Sequence, residues 1–498
     1  MNIIIRIYNE IRNTTLVQLK NQIVGFVFLN SCAFFVHLIY VYLRYPHLNL
    51  SIPFWYGREW GELQLAPRGN IFILPMLGAF STLMGLALII FNRLYIKYFD
   101  NVVFYFVFLT NIILSFASYR IIQVASGTFT PLVNPVYTRF IFPFIVALVL
   151  TYIILPVYIS FAQKRRIITN PSVHAHPGMI LKQPSARGAG IVYSIVVVVV
   201  AGLLIGFKSG YISLFVSLFM LSLLGFLDDI QQTLPSSGLK FLENPVYRLF
   251  LMFLAIVPYV MVGNTFSFIS IPFVGVSELG GFSLNLGPVL STVITMVWIV
   301  WVLNVLSWSN GIDGQYAGII GIGSLIIMVL SLRFSPLKDS HWTTATLAAI
   351  SAGAAFGTVR HTWFPSKVMW GFSAVTAGLV LAAMSISVQS KIVISFLVII
   401  VPFLDGLVTV VRRLLMGKSP FSGDRGHLHH LLLDRGFSPR KIALFYWVTT
   451  AIFGGIGLLS SEGNLVKVSL ICVIIVSICI TALNWLSLRR KPEIQLFD

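Results

Sequence analysis

Sixteen carboxylates in 498 residues are few enough that their positions carry information. LLGFLDDIQQTLP runs an apolar segment straight into the adjacent Asp228 and Asp229. Like charges side by side repel, so the pair calls for a cation nearby. Mg²⁺ suits, because it takes one or two carboxylates and fills its shell with phosphate oxygens. NVLSWSNGIDGQYAG places Asn304, Asn310 and Asp313 between two apolar runs. Such an acidic turn can hold a metal, take up a proton, or simply connect two helices. PFLDGLVTVVRRLLMGKSPFSGDRGHLHH brings Asp405, Arg412, Arg413, Lys418 and Arg425 ahead of His427, His429 and His430. Cations and imidazoles together suit a diphosphate or a nucleotide. The i, i+2, i+3 spacing of the histidines does not give the shared face of an i, i+4 zinc pair. A fourth stretch, KQPSARGAG, sets Lys182 and Arg187 beside small residues at a helix entry. That arrangement admits a phosphate, and equally eases a chain into a membrane helix.

The elements that position these residues follow from composition. The chain is 57% hydrophobic and 10% charged, with a mean hydropathy of +0.89. Soluble domains carry about 25% charged residues, so a soluble fold is excluded. A helix needs about 20 apolar residues to cross a bilayer. About fourteen runs qualify, centred near residues 33, 81, 112, 150, 198, 220, 255, 297, 325, 351, 378, 401, 451 and 477. The expected fold is an all-α polytopic membrane bundle. A boundary near residue 130 separates a module of about three helices (1–130) from a core of about eleven (131–498). Trp55, Tyr56 and Trp60, in the one long loop of the first module, read as interfacial anchors. The three cysteines lie in apolar runs and imply neither a disulfide nor a metal site.

The net charge is +18. With the N-terminus inside, about 24 of the 34 Lys and Arg fall on the cytoplasmic side, as the positive-inside rule expects. Membrane topology therefore accounts for the basic excess, and nucleic acid is not expected as a partner. Asp228, Asp229, Asp313, Asp405, Asp424, Asp434, His174, His176, His361 and the triple-histidine segment share that side. From residue 130 onward the external loops carry few acids: Glu278, Asp339 and Glu462. A multi-pass protein of the plasma (inner) membrane with a cytoplasm-facing site is the expectation.

In this order and between these runs, the four segments resemble the polyprenyl-phosphate N-acetylhexosamine-1-phosphate transferase superfamily, over about residues 135–490. PSARGAG stands for its P-T-P-R-x-G-G, GFLDD for its paired aspartates, NGIDG for its D-G-x-D-G, and GKSPFSGDRGHLHH for its histidine loop. The resemblance implies transfer of a sugar-1-phosphate from a UDP-sugar to polyprenyl phosphate, with UMP released and Mg²⁺ or Mn²⁺ assisting. This is the first step of cell-envelope glycan synthesis, of the peptidoglycan or lipopolysaccharide kind, and a homodimer is compatible with it. It implies catalytic roles for Asp228, Asp229 and Asp313, with Asp313 and Asp229 on the metal. Substrate binding would fall to Lys182, Arg187, Asn304, Asn310, Arg425, His427, His429 and His430.

Two departures stand out. Asn310 replaces the first aspartate of D-G-x-D-G, and Phe372 falls where the family carries a metal-ligating aspartate. No Asp or Glu occurs between Asp339 and Asp405 to restore that ligand. Asp405 is therefore expected to approach the site, with Arg412, Arg413 or a metal as its counter-charge. Phe372→Asp is expected to raise Mg²⁺ affinity. The alternative is a non-catalytic relative that binds polyprenyl phosphate or a partner.

Overall fold

Long runs of Leu, Ile, Val and Phe with few interior charges leave the backbone one economical way to satisfy its amides in an apolar solvent, the α-helix. The computed structural model describes residues 25–55, 62–95, 100–126, 135–170, 183–207, 209–234, 237–271, 282–334, 336–388, 392–421 and 423–489. Tyr56, Trp60, His174, His176, Lys182 and Glu278 lie outside them. The chain divides into two compact units, Met1–Pro135 and Val136–Asp498.

The first unit holds helices α1 (Gly25–His47), α2 (Ile73–Tyr95) and α3 (Asp100–Ser126), with a short antiparallel pair, β1 (Ser51–Pro53) and β2 (Leu65–Pro67). Val41, Ile52, Ile71 and Ile122 make its apolar centre. Polar side chains inside it partner one another. Asn111 donates to Asn30 Oδ1 (3.0 Å) and Thr82 Oγ1 (3.1 Å), and His37 meets Ser118 at 2.7 Å.

The second unit is a helical bundle: α4 (Pro135–Lys164), α5 (Ala189–Leu204), α6 (Ser209–Thr233), α7 (Pro245–Met261), α8 (Gly287–Trp308), α9 (Gln315–Ser331), α10 (Asp339–Thr362), α11 (Val375–Ser387), α12 (Ile392–Val398), α13 (Ile400–Leu415), α14 (Leu428–Leu433), α15 (Pro439–Leu459) and α16 (Glu462–Arg489). One continuous core runs through it. Every expected apolar run lies on a helix, and the protein is an all-α polytopic membrane bundle. The runs are not equivalent, however. Eight described helices are long and apolar enough to cross a membrane, and α12 with α13 makes a ninth, bent by 75°. Pro402 sits in the first turn of α13, where its missing N–H leaves no hydrogen bond unmade. The runs near 198, 255, 325 and 378 form shorter apolar helices, and the run near 351 is the Ala- and Thr-rich α10. Helices α9 and α11 are buried along most of their length. A helix enclosed by protein needs no full-length lipid-facing surface.

The strands are few and short. β3 (Ile168–Thr169) pairs antiparallel with β4 (Ser185–Arg187), which pairs parallel with β7 (Val368–Met369); β5 (Phe268–Ile271) and β6 (Phe282–Asn285) form a separate hairpin. The three-stranded patch matters for the site. It ties the segment after α4, the entry to α5 and the α10–α11 connection together at one end of the bundle. The C-terminal ends of α6 and α8 reach that same end.

Candidate active site

Asp228 and Asp229 stand in the penultimate turn of α6, and both are buried. A helix presents successive residues about 100° apart, so the two carboxylates face different neighbours. Asp229 faces the β4 strand and the α10–α11 connection. Arg187 Nε lies 3.2 Å from its Oδ1, and the backbone N–H of Phe372 donates to the same oxygen at 3.0 Å. Asp229 Oδ2 is buried without a hydrogen-bond partner. The strand pairing fixes Arg187, and its carbonyl accepts from Tyr158 Oη at 2.7 Å. Asp228 faces α7: Gln232 donates to its Oδ2, and Arg248 Nη1 lies 3.4 Å from its Oδ1.

Gly371 makes the approach of the α10–α11 connection possible. Its φ is +66°, and a Cβ there would stand 2.3 Å from both oxygens of Asp229. No other residue type fits without displacing the carboxylate. The Gly371 carbonyl accepts from Asn310 Nδ2 at 3.2 Å, which joins the α8–α9 turn to the carboxylate pair. In that turn Asp313 Oδ2 accepts from the Ser366 N–H at 3.0 Å. Burial pushes the Asp313 carboxyl above the usual carboxylate range, against the lowering effect of the Ser366 bonds.

The histidine segment closes on the other side of the same turn. A Cβ on Gly311 would stand 2.2 Å from His429 Nε2, so backbone and imidazole are in close approach. His427 and His429 stack in parallel with ring centres 5.7 Å apart, and His429 and His430 lie 4.2 Å apart. Asp405 orients the segment. Its Oδ2 is 3.0 Å from His427 Nδ1, and its Oδ1 accepts from the Leu428 N–H at 2.7 Å. Burial and then the neighbouring imidazoles push His429 well below the ordinary histidine value. Burial, then the Arg425 charge, brings His430 down to about 4. Both are neutral imidazoles at pH 7, and their Nδ1 atoms are buried without partners.

Asp405 does approach the site, but its counterpart is His427 and the Leu428 amide, not Arg412 or Arg413. Those two arginines hold Asp424, at 2.8 and 3.0 Å. Burial alone would raise Asp424; the Arg413 hydrogen bond, the Gly426 N–H and both arginine charges outweigh it and hold the group at about 2. The partners of Asp405 are not the expected ones, because the return from α13 to α14 delivers a closer donor. Arg425 pairs with Asp434 at the surface. Asn304 Nδ2 donates back to its own helix at Val300 O, 2.8 Å away. Phe372 lies against the carboxylate pair: its N–H bonds Asp229, and Arg248 stacks on its ring, 5.5 Å from the centroid. Arg248 joins the site without belonging to any of the four polar segments. An arginine in the first turn of an apolar helix was the available signal.

Among the described residues, no group of three or more His, Cys, Asp or Glu is drawn together as a metal cage would be. Mg²⁺ asks for less, one or two carboxylates with the rest from water and phosphate. The unpartnered Asp229 Oδ2 is a buried anionic oxygen of the kind it takes.

The fold and this end of the bundle define a membrane protein with buried carboxylates, guanidinium groups and neutral imidazoles at the ends of its helices. Residues 211–389 match the family described as glycosyl transferase family 4. The chain is 29% identical to the decaprenyl-phosphate N-acetylglucosaminephosphotransferase of Mycolicibacterium smegmatis, over 47% of this chain and 62% of that protein. It is 26% identical to a protein of Bacillus subtilis named probable undecaprenyl-phosphate N-acetylglucosaminyl 1-phosphate transferase, over 63% of this chain and 83% of that one. It is 24% identical to the phospho-N-acetylmuramoyl-pentapeptide-transferase of Desulforudis audaxviator, over 48% and 72%. The chain spans about half to three-fifths of the length of the first relatives it matches. Over these stretches it is similar to enzymes named as polyprenyl-phosphate N-acetylglucosamine-phosphotransferases and as a phospho-N-acetylmuramoyl-pentapeptide-transferase.

Proposed function

We propose that the protein transfers N-acetylhexosamine-1-phosphate from a UDP-sugar to a polyprenyl phosphate at the cytoplasmic face of the plasma membrane. The observation that carries this reading is that Asp229, Asn310 and Asp313 all bond the α10–α11 connection, while the histidine segment approaches Gly311 of the α8–α9 turn, at one end of the bundle. A phosphate oxygen of the acceptor lipid forms a bond to the phosphorus that bears the sugar. The bond from that phosphorus to the bridging oxygen breaks, and the electron pair leaves with UMP.

Asp228 and Asp229 hold the acceptor end and take up its proton where the lipid phosphate is singly ionised. Arg187 keeps Asp229 aimed. His427, oriented through Nδ1 by Asp405, and the neutral His429 and His430 offer ring nitrogens to the nucleotide, with Asn310 and Arg425 at its edge. Asn304 and Lys182 belong to the same substrate-binding set by resemblance. Mg²⁺ (or Mn²⁺) would be held by Asp229 Oδ2, Asp313 and the substrate phosphates. When bound, it screens the charge between donor and acceptor.

The test is UMP release by the purified full-length protein given UDP-N-acetylglucosamine and polyprenyl phosphate. Release that requires the lipid supports transfer; an inactive, folded protein removes it. Phe372 favours the second reading, a binding-only relative, because its side chain offers no oxygen where the family has a metal ligand. That reading predicts lipid binding without UMP.

A further inference from the structure

Arg187 and Arg248 each face one member of the carboxylate pair, but the two are held very differently. Arg187 sits in a strand with partners on both sides, so its guanidinium has little choice of position. Arg248 sits one turn into α7, whose start is fixed by Asn244 accepting from the Val246 N–H at 2.9 Å and by Pro245 in the first turn. Its backbone is therefore well placed while its side chain is loosely engaged. Among the described residues its one hydrogen bond goes to Asp228 Oδ1, at 3.4 Å, near the outer limit for such a contact. A guanidinium carries five donors. The side chain is 27% exposed, whereas the Asp228 it touches is fully buried.

Its platform is Phe372. The Arg248 Cζ lies 5.5 Å from the ring centroid, within the range at which the ring quadrupole attracts a cation. The same residue's N–H is bonded to Asp229. Position 372 thus ties one carboxylate through its backbone and supports a cation through its ring. We propose that Arg248, held over Phe372, is a phosphate-binding residue of this site, which exchanges its long contact with Asp228 for a phosphoryl oxygen of the substrate. A planar fork resting on an aromatic face presents its remaining N–H groups edge-on, the geometry suited to two oxygens of one phosphate. The positive charge that a metal on an aspartate at 372 would supply comes here from the protein itself. This inference rests on the proposed transfer function and names a residue for it.

The experiment measures binding of two probes, polyprenyl phosphate and UDP-N-acetylglucosamine, to the full-length protein in lipid nanodiscs, with Mg²⁺ and with excess chelator. Arg248→Ala is expected to weaken at least one probe by about tenfold or more in both conditions, as loss of a charged hydrogen bond would. Arg248→Lys should recover part of the loss, because it keeps the charge and loses the fork. Phe372→Leu should weaken the same probe by about threefold, as loss of a cation–π contact would. Loss confined to the lipid places Arg248 on the acceptor phosphate; loss confined to the UDP-sugar places it on the donor diphosphate. If the wild type binds and folded Arg248→Ala and Arg248→Lys bind both probes as tightly, this proposal is overturned and the transfer reading stands. If the wild type binds neither probe with Mg²⁺ present, the transfer reading fails and Arg248 has no substrate to hold.

Discussion

In the first unit Asn111 reaches Asn30 and Thr82, and His37 meets Ser118, so these buried groups find their partners within the bundle. In the second unit Asp229 Oδ2 and the Nδ1 atoms of His429 and His430 are buried with no hydrogen-bond partner. Neutral groups with their valences filled hold helices together. Charged or titratable groups left short of partners cost free energy, which a bound molecule can recover. The contrast is between the Asn111 and His37 networks, whose partners lie within the bundle, and the Asp229 and histidine cluster, whose open atoms a ligand can fill.

The largest effect is expected where the open cluster is most charged. Asp229→Asn and Asp313→Asn keep size and remove the anion. Each should lower transfer by about 10²–10⁴-fold, the range for loss of an acid–base or charge-handling group. Melting temperature should change little for Asp313→Asn, since its carboxylate is only partly buried and is bonded by Ser366, which an amide oxygen can also accept from. Parallel assays of labelled lipid product and thermal unfolding separate the two effects. Normal transfer in Asp229→Asn would remove Asp229 from the chemistry.

Asp405→Ala probes the firmest part of the same cluster. It strips both His427 and the Leu428 N–H of their acceptor in a buried place. A cost of about 3 kcal/mol in unfolding free energy is expected. An unchanged denaturant midpoint would mean that the α13–α14 return is held by something else.

Smaller is the effect of pH on His430. Its folded pKa lies at about 4, below the ordinary value near 6.5, so the folded state prefers the neutral ring. The stability this contributes is complete above about 6.5 and is lost as pH falls toward 4. At pH 5 the loss is about 2 kcal/mol. His430→Gln should flatten that part of the profile, as comparing unfolding of the two proteins between pH 7 and 5 would reveal. A parallel decline in both would show that His430 is not the group responsible.

Asn111→Ala, in the closed network of the first unit, should have the smallest effect. A cost of about 1 kcal/mol is expected, typical of an interhelical hydrogen bond within a membrane bundle. Transfer per folded molecule should not change. A large drop in transfer at full occupancy would break the distinction drawn between the two networks.

The legible part of this molecule is the part governed by local composition. Each apolar run became a helix, because a run of such residues has no other way to bury its amides. Hydropathy did not reveal which helices would be enclosed by their neighbours. The 16-residue α5 and the 13-residue α11 were therefore counted like the lipid-facing ones. The four polar segments could be picked out because carboxylates, histidines and arginines are rare in such a chain. Their pairings were less accessible. Sequence proximity pairs Asp405 with Arg412 and Arg413, whereas the return to α14 sets His427 against it. The stacking of Arg248 on Phe372 requires the first turn of α7 to meet the α10–α11 connection. No local pattern encodes that meeting.

The central claim is that this end of the second unit moves a phosphorus atom together with its sugar. UDP-N-acetylglucosamine labelled with ³²P at the phosphate bearing the sugar follows that atom directly when the purified protein is given polyprenyl phosphate. The account predicts that the label enters the lipid fraction as unlabelled UMP appears, and that Asp229→Asn abolishes both. Label remaining in UDP while the sugar alone moves to lipid, or label never leaving the nucleotide sugar with folded wild-type protein, would contradict it.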